Sequence, residues 1–213
     1  MMLATTDRGI SRAEPGLPGA CPSCAEPVIA KCGRIVAWHW AHRAGDCDPW
    51  SEPESQWHLG WKAAAARTEV VISRAGHIHR ADIITPTGWV VELQSSFLPV
   101  DEIAEREAFY GRRMVWLYNA SRWADRLHFG RKGFWWKHGA KSLAAHRRTV
   151  YWHLPDTGEV WRTRVSVIDR RECIDVGPNG PSYISTGKRV LGKRLATQSE
   201  DAFKAWIGWK QDR

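Results

Sequence analysis

Two short apolar runs that carry acids at strand spacing constrain this chain more than any other feature. Asp82 sits in the run from Ile78 to Ile84, and ten residues on Glu92 and Gln94 stand two apart in the run from Trp89 to Ser95. Successive side chains of a strand project to opposite faces, so Glu92 and Gln94 share one face and Val91 and Leu93 the other. A hairpin through Thr85, Pro86, Thr87 and Gly88 would bring Asp82 beside Glu92. Two carboxylates on a strand pair, followed after one residue by a polar group, are what a divalent cation and an attacking water require for phosphodiester cleavage. An acid amid VVELQ is costly to bury unpaired, which favours a metal or another cation beside it.

The flanking segments read as regular elements. A helix is expected to start near Glu52, capped by Ser51 or Ser55, with Glu54, His58 and Lys62 forming one polar stripe at four-residue spacing while Trp57, Leu59 and Trp61 face elsewhere. EVVISRAG, HIHRADIIT and WVVELQSS read as three consecutive strands bounded by turn residues. DEIAEREAFYGRR reads as a helix with an acidic first turn, with Ile103, Ala104 and Phe109 packing inward and Arg106 and Tyr110 sharing a face. MVWLYNA follows as a buried strand. The order helix, three strands, helix, strand, with the second helix returning to a parallel neighbour, predicts an α/β core with a mixed sheet.

The N-terminal fifth carries a different signal. Residues 1–20 hold Gly, Pro, Ala and charge without period and read as a disordered leader. Next, Cys21 and Cys24 form a C-x2-C pair and His39 and His42 an H-x2-H pair, with a short hairpin between them turning at residues 32–34. Four soft or imidazole ligands are what a tetrahedral Zn2+ wants, and the turn through Pro22 and Ser23 presents two thiolates together. With every position taken by protein, such a zinc is structural and folds a ribbon too small to hold itself by burial. Cys32 and Cys47 stand near enough to replace one of the four.

Composition bounds the rest. The chain has 213 residues and net charge +8, and the excess lies from Arg122 onward, where 19 Lys and Arg face 9 Asp and Glu. Seven of the fourteen Trp fall in that basic part, a mixture suited to a polyanionic partner and to base stacking, although burial is the commoner fate of Trp. TVYWHLPDTGEVWRTRVSVI reads as a hairpin turning at residues 155–158, and residues 201–210 as a helix packing through Phe203, Trp206 and Ile207. His128, His138, His146 and His153 show no ligand spacing. No eighteen-residue apolar run, signal-like N-terminus, Gly-rich phosphate loop, Ser-His-Asp pattern or repeat is present, so a cytoplasmic protein without a membrane partner is expected. The organisation predicted is a leader (1–20), a zinc-binding ribbon (21–49), a nuclease-like core (50–121) and a basic, Trp-rich α+β extension (122–213).

CPSC with HWAH, ES followed by His58 and Lys62, RAD, VELQSS, and Arg106 and Tyr110 ahead of VWLYN together resemble the competence protein CoiA-like nuclease family, within the PD-(D/E)XK nuclease superfamily. The resemblance spans roughly residues 21–123. It implies a metal-dependent nuclease core with a zinc-ribbon-like element and a role in DNA processing, uptake or recombination, on single- or double-stranded DNA. By role, Asp82 and Glu92 would hold Mg2+ or Mn2+, and Glu54 would ligate a second ion or orient the first. Gln94 would align the nucleophile, and His58, Lys62, Arg80, Ser96, Arg106 and Tyr110 would meet substrate. The lysine that usually ends the superfamily motif is Gln94 here, with Lys62 as its stand-in. A second reading is a nuclease-fold accessory factor that binds DNA or protein without turnover.

Overall fold

The protein is described from a computed structural model. The structure describes all residues except 36, 46, 51–53, 124–126, 131–132, 138–140, 169–173, 178–179, 184–188 and 209–213, and only the backbone through most of 127–144 and 164–197. The chain forms two compact units, one of residues 1–86 with 207–213 and one of residues 87–206.

The first unit opens with strands where a disordered leader was expected. β1 (Leu3–Thr6), β2 (Gly9–Arg12), β3 (Gly19–Ala20), β4 (Pro27–Lys31) and β5 (His39–Ala41) form an antiparallel sheet in the order β2-β1-β3-β4-β5. The cause is Trp40, a residue far along the chain. Its fully buried ring packs with Ala4, Ala13, Val28 and Cys21, its indole donates to Ser11 O at 3.1 Å, and its amide donates to Met1 O at 2.8 Å. Gly19 makes the approach possible, because a Cβ there would lie 2.8 Å from the Trp40 ring. The ribbon of 21–49 is therefore continuous with the residues before it. Its hairpin pairs Ile29 with Ala41 and Lys31 with His39, with a connection over residues 32–38 that is wider than the turn predicted.

The same unit holds α1 (Gln56–Ala64) and the antiparallel pair β6 (Thr68–Arg74) and β7 (His77–Ile84). Ser55 caps α1, as one of the two predicted candidates; the other, Ser51, lies outside the described residues.

In the second unit β8 (Val90–Gln94) and β9 (Met114–Asn119) pair in parallel and are buried throughout, with α2 (Val100–Tyr110) as their crossover. The helix–strand succession α1, β6, β7, β8, α2, β9 matches the predicted order. On α2, Ile103 is buried as predicted, whereas Ala104 is exposed and Phe109 half-buried. The sheet does not stop at residue 121. After β10 (Leu127–Gly130) and β11 (Gly133–Lys137), β12 (Thr149–Leu154) pairs in parallel with β9 and leads through the predicted turn into β13 (Glu159–Ile168). β14 (Ile174–Gly177) and β15 (Gly180–Tyr183) form a separate hairpin, and β16 (Arg189–Ser199) returns between β11 and β13. Within this unit the strand order is β10-β11-β16-β13-β12-β9-β8. α3 (Glu200–Trp206) is shorter than predicted, with Phe203 fully buried and Lys210 outside the described residues. Trp152 and Trp161 are core residues, so these two aromatics of the basic part are not a stacking surface. No helix among the described residues is long and apolar enough to cross a membrane.

Candidate metal centre and carboxylate cluster

Cys21, Cys24, His42 and Cys47 bring one ligand atom each to within 4.8 Å of one another. Cys21 Sγ and Cys47 Sγ are 3.6 Å apart, and Cys24 Sγ and His42 Nε2 3.3 Å. A tetrahedron with metal–sulfur bonds of about 2.3 Å has sulfur–sulfur edges of about 3.8 Å, so three thiols and an imidazole at these spacings fit a structural zinc. The knuckle is local: Ala25 takes a left-handed φ of 62°, its amide donates to Cys21 O at 2.9 Å, and the Ser23 amide donates to Cys21 Sγ at 3.4 Å. Burial pushes the Cys21 thiol up, but the backbone of Cys24 and Ser23 and the Cys47 thiol outweigh it and hold Cys21 below its ordinary value. Burial, then hydrogen bonding to Cys21 and Cys24, push Cys47 up to about 12. Thiols sharing one site resist ionising together, and a divalent cation is what reverses that.

His39 was the predicted fourth ligand, and Cys47 replaces it. His39 is the first residue of β5 and is not among the side chains that converge with His42. Its Nδ1 lies 2.9 Å from Ala37 O instead. Cys32 packs against the Trp40 core.

Lys62, on the last turn of α1, organises the second site. Its ammonium is 2.5 Å from Glu54 Oε1, 2.9 Å from Asp82 Oδ1 and 3.4 Å from Glu69 Oε1. The Lys62 side chain is 7% exposed and that of Glu69 1%, so these charges meet where water screens little. Burial alone would push Lys62 down, but Asp82, Glu69 and Glu54 hold it well above the ordinary lysine range. Glu54 is raised, first by burial and then by Asp82 and Glu69 against the pull of Lys62. Burial raises Glu69 too, yet Lys62, Arg80, the N-terminal amine and the Met2 amide bring it below its usual value.

Sequence reasoning missed Glu69. Thr68 pairs with Ile83 and Val70 with Ala81, so Glu69 stands opposite Asp82 across the hairpin. It holds a left-handed φ of 51°, uncommon for a residue with a side chain, and its carboxylate accepts the Met2 amide at 2.8 Å and the Leu3 amide at 2.9 Å. The hairpin register was the one signal that could have found it.

Of the other predicted site residues, His58 completes a capping box, its Nδ1 lying 2.8 Å from Ser55 Oγ and accepting the Ser55 amide at 3.2 Å. Arg80 Nη1 is 3.6 Å from Met1 Sδ. In the second unit Glu92 is buried and pairs with Arg106 Nη1 at 3.1 Å, and Arg106 also bonds Glu102, one turn back on α2. The predicted cation beside Glu92 is thus present as Arg106. Gln94 and Ser95 are buried with Oε1 and Oγ unpartnered, Tyr110 is buried, and Ser96 is exposed. Glu54, Lys62 and Asp82 are brought together; Asp82 belongs to the first unit and Glu92 to the second. His153 Nε2 pairs with Glu200 at 2.9 Å and His146 Nε2 with Tyr118 Oη at 3.0 Å, both structural roles; the side chains of His128 and His138 lie outside the described residues.

Fold and site define a mixed α/β protein with a Cys3His cluster able to hold a metal ion at its N-terminal end and a lysine-centred carboxylate cluster on α1, the residues just before it, β6 and β7. Residues 19–49, a stretch that contains all four knuckle ligands, match the family model for the N-terminal domain of competence protein CoiA. No curated protein and no solved structure matches the chain.

Proposed function

We propose that the protein is a divalent-metal-dependent nuclease of the PD-(D/E)XK type that hydrolyses DNA phosphodiesters in competence-linked processing or recombination. The observation that carries this reading is an orphaned oxygen beside Lys62: three carboxylates bond its ammonium, and Glu54 Oε2 is buried with no hydrogen-bond partner. An orphaned anionic oxygen at that depth is costly, and a hard cation satisfies it. Asp82 and Glu54 fit the oxygen donors that Mg2+ or Mn2+ takes. Such an ion, when bound, lowers the pKa of water and neutralises charge gathering on phosphate.

The chain's own groups do the positioning. Lys62 stays protonated and bonds both Glu54 and Asp82. Gln94 Oε1 is buried without a hydrogen-bond partner. Glu69 bonds Lys62 and takes the Met2 and Leu3 amides at the head of β1 at the same time.

The partner in this reading is DNA, single- or double-stranded, met in the cytoplasm. The test is digestion of both DNA forms with Mg2+ or Mn2+, beside Asp82→Ala and Glu92→Ala. Cutting that depends on the ion and is lost in both variants supports the proposal. Binding without digestion under either ion favours the second reading, an accessory DNA- or protein-binding factor on the same fold, which the Glu92–Arg106 pair and Gln94 favour.

A further inference from the structure

We infer that Asp48 is the latch through which the metal knuckle holds strand β7. Asp48 directly follows the ligand Cys47, so an ion gripping that thiol also fixes the Asp48 backbone. The Asp48 carboxylate is buried and reaches across two consecutive residues of β7. Its Oδ1 lies 3.0 Å from His79 Nδ1, and its Oδ2 accepts the Arg80 amide at 2.8 Å. Trp50 closes the latch from outside: its amide donates to Asp48 Oδ1 at 3.1 Å, and its indole stacks on the His79 imidazole with centroids 3.3 Å apart and planes 9° from parallel.

The chemistry explains why an aspartate stands there. A carboxylate offers two acceptor oxygens on a short arm, so it can take a ring N–H and a backbone N–H at once, and hydrogen bonds to a charged acceptor are stronger than neutral ones. A buried carboxylate without those donors would be costly, so the segment after Cys47 has one favourable seat and β7 supplies it. Arg80 is two residues from Asp82, on the same face of the strand. Ion occupancy at the knuckle therefore sets how firmly β7 is held at the point from which Asp82 projects. This coupling goes beyond the nuclease reading and does not depend on turnover.

The test is hydrogen exchange of the Arg80 amide, followed by NMR on the full chain, zinc-loaded and chelator-stripped, in wild type, Asp48→Ala and Asp48→Asn, with β9 amides as internal reference. Stripping zinc is expected to speed Arg80 exchange about tenfold or more in wild type. Asp48→Ala is expected to exchange fast even when loaded, to keep about one zinc per chain, and to change by less than about twofold on stripping, the non-additivity expected of two groups acting through one link. Asp48→Asn, which keeps an oxygen for the amide, is expected to stay within about threefold of loaded wild type. Equal exchange in loaded and stripped wild type overturns the latch. So does a further full acceleration when Asp48→Ala is stripped, or loss of zinc from Asp48→Ala, which would place Asp48 in the metal site itself.

Discussion

Lys62 on α1 and Asp82 on β7 are joined by a 2.9 Å ion pair across twenty residues of chain, and the same ammonium also reaches Glu54 and Glu69. One cation thus holds a helix and both strands of a hairpin. Removing one partner of a buried pair is far more costly than replacing the pair, because it leaves charge behind without compensation.

Lys62→Met is accordingly expected to destabilise the protein by about 3–5 kcal/mol. Adding Glu69→Gln to that variant is expected to recover about 1 kcal/mol, since it removes one of the stranded acids. Urea denaturation of the single and double variants measures both. A Lys62→Met loss below about 1 kcal/mol would contradict the buried cluster.

Gly19→Ala tests whether residues 1–20 belong to the folded core. A Cβ at that position would lie 2.8 Å from the Trp40 ring, with Ala4 behind it, so neither neighbour can yield freely. A cost of about 1–3 kcal/mol is expected, read as a lowered thermal midpoint.

The parts legible in the sequence are those whose signal is local. β6, β7, β8 and β9 announce themselves as apolar runs between turn residues; α1 starts at Gln56 and not near Glu52, so Glu54 meets Lys62 from before the Ser55 cap and not along the predicted helical stripe. What escaped depends on partners far along the chain. β1 and β2 are four residues each and lean on Trp40, whose pull no window of twenty residues contains. His39 and His42 carry ligand-like spacing, yet only His42 joins the cluster, and Cys47 arrives from a loop with no pattern of its own. Glu69 looks like an ordinary first-strand acid until a left-handed backbone and the register against β7 bring it under Lys62. Arg106, read as sharing a face with Tyr110 and meeting substrate, places its guanidinium on Glu92 and Glu102.

Acidity should weaken the second unit through its histidines. Burial lowers His146 and outweighs its bond to Leu143 O and the nearby Glu107, and burial likewise lowers His153 despite Glu200. For a histidine whose folded pKa lies below its unfolded value, the unfolded chain binds more protons. Stability is therefore present above the unfolded value near 6.5 and is lost as pH falls from there through the folded pKa. The slope is at most about 1.4 kcal/mol per pH unit for each group. Denaturation midpoints between pH 7.5 and 5.0 should fall in wild type and fall less steeply in His146→Asn; identical slopes would contradict the assignment.

The knuckle makes a compositional prediction. Metal analysis should find about one zinc per chain, lost in Cys47→Ser and Cys21→Ser and kept in His39→Ala. Zinc retained in Cys47→Ser and lost in His39→Ala would restore the ligand set predicted from spacing alone.

The most direct test of the catalytic proposal is Glu54→Gln, which removes one oxygen charge and leaves the shape and the Lys62 contact in place. Rates of DNA cleavage with Mg2+ are to be measured beside DNA affinity at fixed salt. The expected result is a fall in rate of about 100-fold or more with affinity nearly unchanged. Cleavage by Glu54→Gln at the wild-type rate would contradict it.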